Sequence, residues 1–350
     1  MLRKFMLPLL LLALFFFVGI YIYGYFFVAG SVYRGTSTHF KDGIFTIDAV
    51  AVEEKSSRDF YKWSFGNDVN VPWNEPYTTD TMTLTPFSGK ARATFINHAT
   101  VLIETPKLTL MTDPQFAERA SPVSFAGPAR HHDPYIRLAD IPKLDVVLIS
   151  HNHYDHLSIE SIKMIETRFA PQYIVPLNNG QFVARAGVPH ERITELDIAA
   201  SKVIGETRVT LEPARHWSAR GFRDRNRYLW GAFVIETPES RIYFAGDTGY
   251  GTHFKTLKEK YGQIDMALLP IGAYEPRWFM EQMHMNPSVA HHAAEDLGSP
   301  KVMGIHFGTF KLTNEGRHDP EKHTQEVLTA RPYGTVFLVP TIQNGLQIEL

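Results

Sequence analysis

The stretch SHNHYDHLS, residues 150–158, places three histidines and an aspartate within the six positions 151–156. It follows LDVVLIS (144–150), an apolar run rich in β-branched residues that reads as a strand. His151 and His153 lie two apart, so extended chain leaving that strand projects both to one side. Asp155 and His156 come after the chain turns and address a point slightly further on. So many nitrogen and oxygen donors exceed the needs of one cation and suit two Zn-like ions roughly 3.5–4 Å apart that share a water. A polar surface loop is the plain alternative, but H-x-H-x-D-H at the end of a buried strand is a specific pattern.

Two ions at a sheet edge need further ligands at the ends of later strands, and three residues qualify. His216 ends RVTLEPARH, Asp247 ends RIYFAGD and His306 ends KVMGIH. One such residue at a strand end is common; the joint occurrence is not. The chain has no cysteine, so disulfides and thiolate ligands are excluded and any metal is held by histidine and carboxylate.

From about residue 88 onward, short Val-, Ile- and Phe-rich runs end in Gly, Pro, Asp or His and read as strands, with helix-period segments such as SIESIKMIETRFA and NPSVAHHAAEDLG between them. Asn286 is placed to cap the second of these helices, with Pro287 at its first position. This mixture predicts a layered α/β domain. VLIETPKLTLMTD (101–113) and FVIETPESRIYFAGD (233–247) share one order: apolar run, Glu-Thr-Pro turn, second apolar run, Asp. Each reads as a hairpin, and the echo suggests two facing sheets that bring Asp113 and Asp247 toward one edge.

The remaining composition is that of an ordinary globular protein: 350 residues, 44% apolar, 21% charged, formal net charge -2. It offers no cationic track for nucleic acid. Residues 5–32 carry no charge, enough as a helix at ~1.5 Å per residue to cross a ~30 Å hydrocarbon layer. We read residues 1–30 as a transmembrane anchor, with an uncleaved signal segment as the alternative. Arg3 and Lys4 favour an inside N-terminus and an exported body. Residues 31–87 read as an N-terminal approach packing on the core, and residues 88–350 as the main domain. In the approach, Phe60, Tyr61, Trp63 and Phe65 are read as packing residues rather than lipid contacts.

Taken together, these motifs resemble the metallo-β-lactamase-fold hydrolases. The closer resemblance is to the branch of N-acylphosphatidylethanolamine-hydrolysing phospholipase D and its bacterial relatives. NHATVLIET, LMTDPQF, SPVSFAGPAR, ISHNHYDHLS, FAGDTGY, LLPIGAYEPRWFM, HMNPSVA and HFGTFKL follow that branch in order over roughly residues 88–315. The resemblance implies a four-layer αββα metallo-β-lactamase-like sandwich. It implies a first metal on His151, His153 and His216, a second on Asp155, His156 and His306, and Asp247 bridging them. The ions implied are two Zn(2+), with manganese or iron open as alternatives. A carboxylate at the second histidine position would have suggested a diiron redox site, so His153 argues for hydrolysis. Asp155 and Asp247 are the expected groups to orient the attacking hydroxide and shuttle its proton. His284, placed over the metals by the resemblance, is expected to stabilise developing negative charge. His98 is expected to support a ligand, and Asp113 to orient a ligand or hold a loop rather than bind metal. His131, His132, His253, His291 and His292 are read as surface or packing residues. Asn97 stands where the family often has Gly, and Met283 where mammalian members have Gln.

Three functions follow as expectations. The first is a membrane-anchored phosphodiesterase of phospholipase D type acting on N-acylphosphatidylethanolamine-like lipids. It would be single-pass in a bacterial inner membrane, with its catalytic domain outside the cytoplasm. The second is a lactonase or other small-ester or phosphodiester metallohydrolase of the same fold. The third is a non-catalytic envelope protein with structural metals, which seven ligands argue against, since structural zinc sites close with four. The expected partners are a phospholipid or small-molecule substrate and the membrane, with no nucleic acid; a homodimer stays open.

Overall fold

Runs of three to six apolar residues become strands with both faces covered, which is why they show almost no polar alternation. The computed structural model describes residues 30–78, 80–221, 223–331, 336–341 and 345–350. The transmembrane helix expected over residues 1–30 lies outside the described residues except for Gly30. Among the described residues no helix is long and apolar enough to cross a membrane.

A small hairpin, β1 (Phe40–Lys41) and β2 (Ile44–Phe45), precedes helix α1 (Ser57–Phe65). The first large sheet contains β3 (Arg92–Asn97), β4 (Thr100–Glu104), β5 (Thr109–Thr112), β6 (Val146–Leu148), β7 (Gln172–Pro176) and β8 (Ile193–Leu196). Helices α2 (Ile159–Phe169) and α3 (Gly180–Arg185) cover its outer face. The second sheet contains β9 (Ser201–Ile204), β10 (Thr207–Glu212), β11 (Ala232–Glu236), β12 (Arg241–Phe244), β13 (Met266–Pro270), β14 (Lys301–Ile305) and β15 (Val336–Leu338). Its helices are α4 (His253–Tyr261), the short α5 (Arg277–Met280), α6 (Pro287–Leu297) and α7 (Asp319–Ala330). The terminal β16 (Gln347–Glu349) returns to pair with β3.

The period of two along the first sheet separates its faces. Phe95, Val101, Ile103, Val146 and Leu148 join the core shared with the second sheet. Their neighbours Ile96, Leu102, Val147 and Ile149 pack with Ile162, Ile165 and Phe182 of α2 and α3. With α4 and α6 adding Phe254, Leu257 and Leu297 on the other side, the layers run helix, sheet, sheet, helix.

The two sheets repeat one plan. Their orders are β16-β3-β4-β5-β6-β7-β8 and β9-β10-β11-β12-β13-β14-β15, and in each the first three pairings are antiparallel and the last three parallel. The two Glu-Thr-Pro hairpins occupy equivalent places. Thr105 N donates to Leu108 O at 2.9 Å, and Thr237 N to Ser240 O at 2.8 Å. The likeness runs further than the hairpins: Asp145 Oδ2 accepts from Thr109 N at 2.9 Å, and Asp265 Oδ2 from Arg241 N at 2.8 Å.

Candidate metal centre

Strand ends deliver the polar residues to one rim of the sandwich. The H-x-H-x-D-H segment leaves β6, turns through bonds from His156 N and Leu157 N to His153 O, and enters α2, where Ser158 Oγ caps Ser161 N at 3.1 Å. His216 follows β10, Asp247 follows β12 and His306 follows β14. The two sheets are tied at this rim by Gly231 N to Ser150 O (3.0 Å) and His306 N to His98 O (2.8 Å). His98, Asp113 and His306 have positive φ of 44°, 32° and 64°, local strain that the surrounding ties hold in place. At Gly246, with φ +57°, the chain passes so close to Ser150 that a Cβ would meet the Ser150 Cβ at 2.5 Å; only glycine serves there.

The seven residues singled out from the sequence converge in two groups around one oxygen. His153 Nδ1 lies 2.9 Å from His151 Nε2 and 3.3 Å from His216 Nε2. Asp247 Oδ2 stands 3.9 and 3.7 Å from the latter two nitrogens. On its other side the same Oδ2 is 3.2 Å from His156 Nε2 and 3.0 Å from His306 Nε2. Asp155 Oδ2 completes that group at 3.2 and 3.3 Å from the same nitrogens.

This donor set fits divalent ions. At metal–nitrogen distances of 2.0–2.1 Å, tetrahedral ligand atoms stand about 3.3 Å apart, close to the separations within each group. Facing imidazole lone pairs repel unless a proton or a cation lies between them. Asp247 Oδ1 is buried with no hydrogen-bond partner, a costly arrangement for a carboxylate without a counter-charge. The second contacts select tautomers. His156 Nδ1 donates to Asp113 Oδ2 at 2.6 Å, and His216 Nδ1 to Met283 O at 3.3 Å. His151 Nδ1 meets Ser150 Oγ at 2.9 Å. Each leaves Nε2 facing the centre. Asp113 is itself fixed by Ser150 N (2.7 Å) and Ser150 Oγ (2.6 Å), and His98 Nε2 reaches Asp155 Oδ2 at 3.0 Å.

Protonation divides the two groups. Burial pushes His153 down to about 3 and holds His151 and His216 well below the usual imidazole range, so all three are neutral ligands at pH 7. Burial also opposes charge on His156 and His306, but Asp247 and Asp155 outweigh it, lifting His156 well above its ordinary value and His306 to about 9. Burial alone would raise Asp155 and Asp247, yet the facing His156 and His306 hold both well below the carboxylate range. The group containing Asp155 thus attracts positive charge. His284, between α5 and α6, lies with Nδ1 4.0 Å from Asp247 Oδ2, and burial lowers it to about 4.

The centre opens into a cavity of about 630 Å³ walled by Trp63, Trp217, Phe279, Met280, Met283 and Leu312, with Glu54, Lys55 and Arg225 also lining it. The Arg225 guanidinium lies 4.2 Å from the Trp217 ring. Of these walls, sequence reasoning singled out Trp63 as a packing residue, and it stacks on Phe279, whereas Phe60, Tyr61 and Phe65, given the same reading, stay more than half exposed because the helix lays only one edge on the domain; Trp217, directly after His216, and the GAYEPRWFM segment carried weaker signal. His132, His253 and His291 are buried away from the centre, and His131 and His292 lie nearer the surface.

Comparison with known proteins identifies the family. Residues 109–307 match the Beta-lactamase superfamily domain. The chain is 38% identical over 250 residues, covering 68% of it and 70% of the relative, to N-acyl-phosphatidylethanolamine-hydrolyzing phospholipase D 1 of Caenorhabditis elegans. It is 33% identical over 222 residues, 61% of this chain and 47% of the relative, to the mitochondrial N-acyl-phosphatidylethanolamine-hydrolyzing phospholipase D of Saccharomyces cerevisiae. Igni18, a metallo hydrolase from Ignicoccus hospitalis, shares the fold with a TM-score of 0.55 at 21% identity, covering 74% of this chain and 99% of that one. With its domain matched over more than half its length, the chain belongs to the metallo-β-lactamase superfamily, as a metal-dependent hydrolase related to the N-acyl-phosphatidylethanolamine-hydrolyzing phospholipases D.

Proposed function

We propose that the chain is a membrane-anchored dinuclear zinc hydrolase of phospholipase D type that cleaves N-acylphosphatidylethanolamine-like lipids. The observation that carries the reading is Asp247 Oδ2, shared by two nitrogen-rich groups at the end of an apolar-walled cavity. In this assignment His151, His153 and His216 would hold one ion and Asp155, His156 and His306 the other, with Asp247 available to both. Bound divalent ions supply Lewis-acid polarisation and a water of lowered pKa.

The chain's own residues do the rest. Asp155, steadied by His98, and Asp247 orient the attacking water and hold its proton. His284, neutral because burial lowers it to about 4, donates a hydrogen bond to the phosphoryl oxygen as charge builds there. Water adds to phosphorus and the P–O bond to the N-acylethanolamine breaks. The leaving alkoxide takes the proton, giving phosphatidate and an N-acylethanolamine. Phe279, Met280 and Leu312 exclude bulk water and accept acyl chain.

The apolar segment within residues 1–30 is assigned as a single-pass anchor in a bacterial inner membrane, with the catalytic domain outside the cytoplasm. Protease added to intact spheroplasts should digest the domain; full protection would reverse the topology. The central test is metal content together with phosphatidate release from N-acylphosphatidylethanolamine in mixed micelles, for the unaltered chain and His151→Ala. About two zinc ions per chain and release abolished in the variant are expected. Two ions without lipid cleavage would move the assignment to lactones and small phosphodiesters.

A further inference from the structure

Helix α1 has two unlike faces. Inward, Trp63 stacks on Phe279 with ring centroids 5.2 Å apart and planes 5° from parallel, and Phe60, still 57% exposed, sits 5.5 Å from Trp63 at the edge of the cavity that all three line. Outward, Arg58, Tyr61, Lys62 and Phe65 share an arc of about 100° at roughly 100° per residue. Tyr61 and Phe65 meet ring to ring at 5.1 Å, yet remain 66% and 74% exposed. A helix that only faces water carries polar residues on this side.

The charges around α1 say what covers that face. Asp59 is used within the helix, exchanging bonds with Ser56 in a capping box, and Glu53 N and Oε2 engage Gln282. Glu54 Oε1 lies 4.0 Å from Arg225 Nε and Asp68 Oδ2 accepts from Trp278 Nε1, so the charges on the outward arc itself are the cations Arg58 and Lys62, the second also lying 4.1 Å from the Trp278 ring. Aromatic rings beside cations with long apolar stems suit the headgroup layer of an anionic bilayer.

We propose that α1 docks on an anionic phospholipid surface through Arg58, Tyr61, Lys62 and Phe65, and that Phe60 and Trp63 lead a lipid from that surface into the cavity. This rests on the lipid-substrate reading above and adds the element that meets the bilayer.

The absence of native cysteine makes the test direct. Tyr61→Cys, Phe65→Cys and, as a control on edge strand β9, Val203→Cys each provide one site for a nitroxide in the full chain. In phosphatidylcholine–phosphatidylglycerol vesicles, labels at 61 and 65 should gain collisions with oxygen and lose collisions with an aqueous nickel chelate, while the label at 203 stays aqueous. Labels at 61 and 65 as accessible to nickel as the control would overturn docking. So would protection that appears in detergent and grows with protein concentration, which marks a second copy of the chain. The Tyr61→Ser, Phe65→Ser variant should lose about tenfold on vesicle lipid relative to a monomeric short-chain diester. An unaltered ratio would count against the proposal. The label experiment does not depend on turnover, so failure of docking and failure of the phospholipase reading are seen separately.

Discussion

Asp113 Oδ2 lies 2.6 Å from His156 Nδ1, and Asp247 Oδ2 lies 3.2 Å from Nε2 of the same ring. The two carboxylates that end equivalent hairpins in the two sheets thus grip one imidazole from opposite sides. Asp113 fixes the tautomer; Asp247 sits on the side where a metal belongs. Asp113→Asn should weaken the ion at Asp155, His156 and His306 by about 10–100-fold and spare the other. Metal analysis after dialysis against a graded chelator checks this, with about one ion per chain retained.

His284→Gln should lower turnover by about 100-fold or more while both ions stay bound, since His284 is assigned to charge stabilisation and not to coordination. Kinetics and metal content on the same sample decide it. Parallel loss of metal would make His284 a ligand instead.

Acid should empty the two groups in order. Protons compete for His156 and His306, whose affinity for them is raised, and far less for His151, His153 and His216, which burial keeps neutral. As pH falls from neutrality, the ion at Asp155, His156 and His306 should leave first. Spectroscopy of a cobalt-substituted sample follows the two sites separately.

Without metal, the sign of the pH effect on stability is set by the raised group. His306 binds its proton to about pH 9 when folded, against an ordinary value of 6.5. Its contribution is full below pH 6.5 and is lost as pH rises toward 9. The chelated chain should therefore melt at a lower temperature at pH 9 than at pH 6.5, with a smaller change in the loaded chain. Scanning calorimetry at the two pH values tests it.

Gly246→Ala should cost about 2–4 kcal/mol, combining a positive φ with contact on Ser150, and should loosen metal binding because Asp247 is the next residue. Urea unfolding and chelator competition measure the two effects.

The metal-centre candidates were legible because polar residues that end apolar strands stand out locally: His151, His153, Asp155, His156, His216, Asp247 and His306 each sit where a strand stops. The hairpin echo was legible for a similar reason, since a turn and its flanking pairs lie within a dozen residues. Its extension to Asp145 and Asp265 was not, because those carboxylates cap strands from a separate loop. The cavity walls were hidden too. Trp63, Phe279 and Leu312 come from three separate segments of the chain, and their meeting around one cavity depends on long-range packing. The strand Gln347–Glu349 is short and polar at both ends, and only its pairing with β3 makes it one.

The repeated plan of the two sheets also bears on how metal and folding are linked. His151, His153, Asp155 and His156 come from the first half of the chain's repeat; His216, Asp247 and His306 come from the second. Neither half contains a whole coordination set, so under the proposed assignment each ion is a staple across the seam. Holding it favours the closed arrangement by mass action. The rate at which a strong chelator strips the ions then becomes a clock for the parting of the halves, a motion otherwise silent in any measurement of secondary structure.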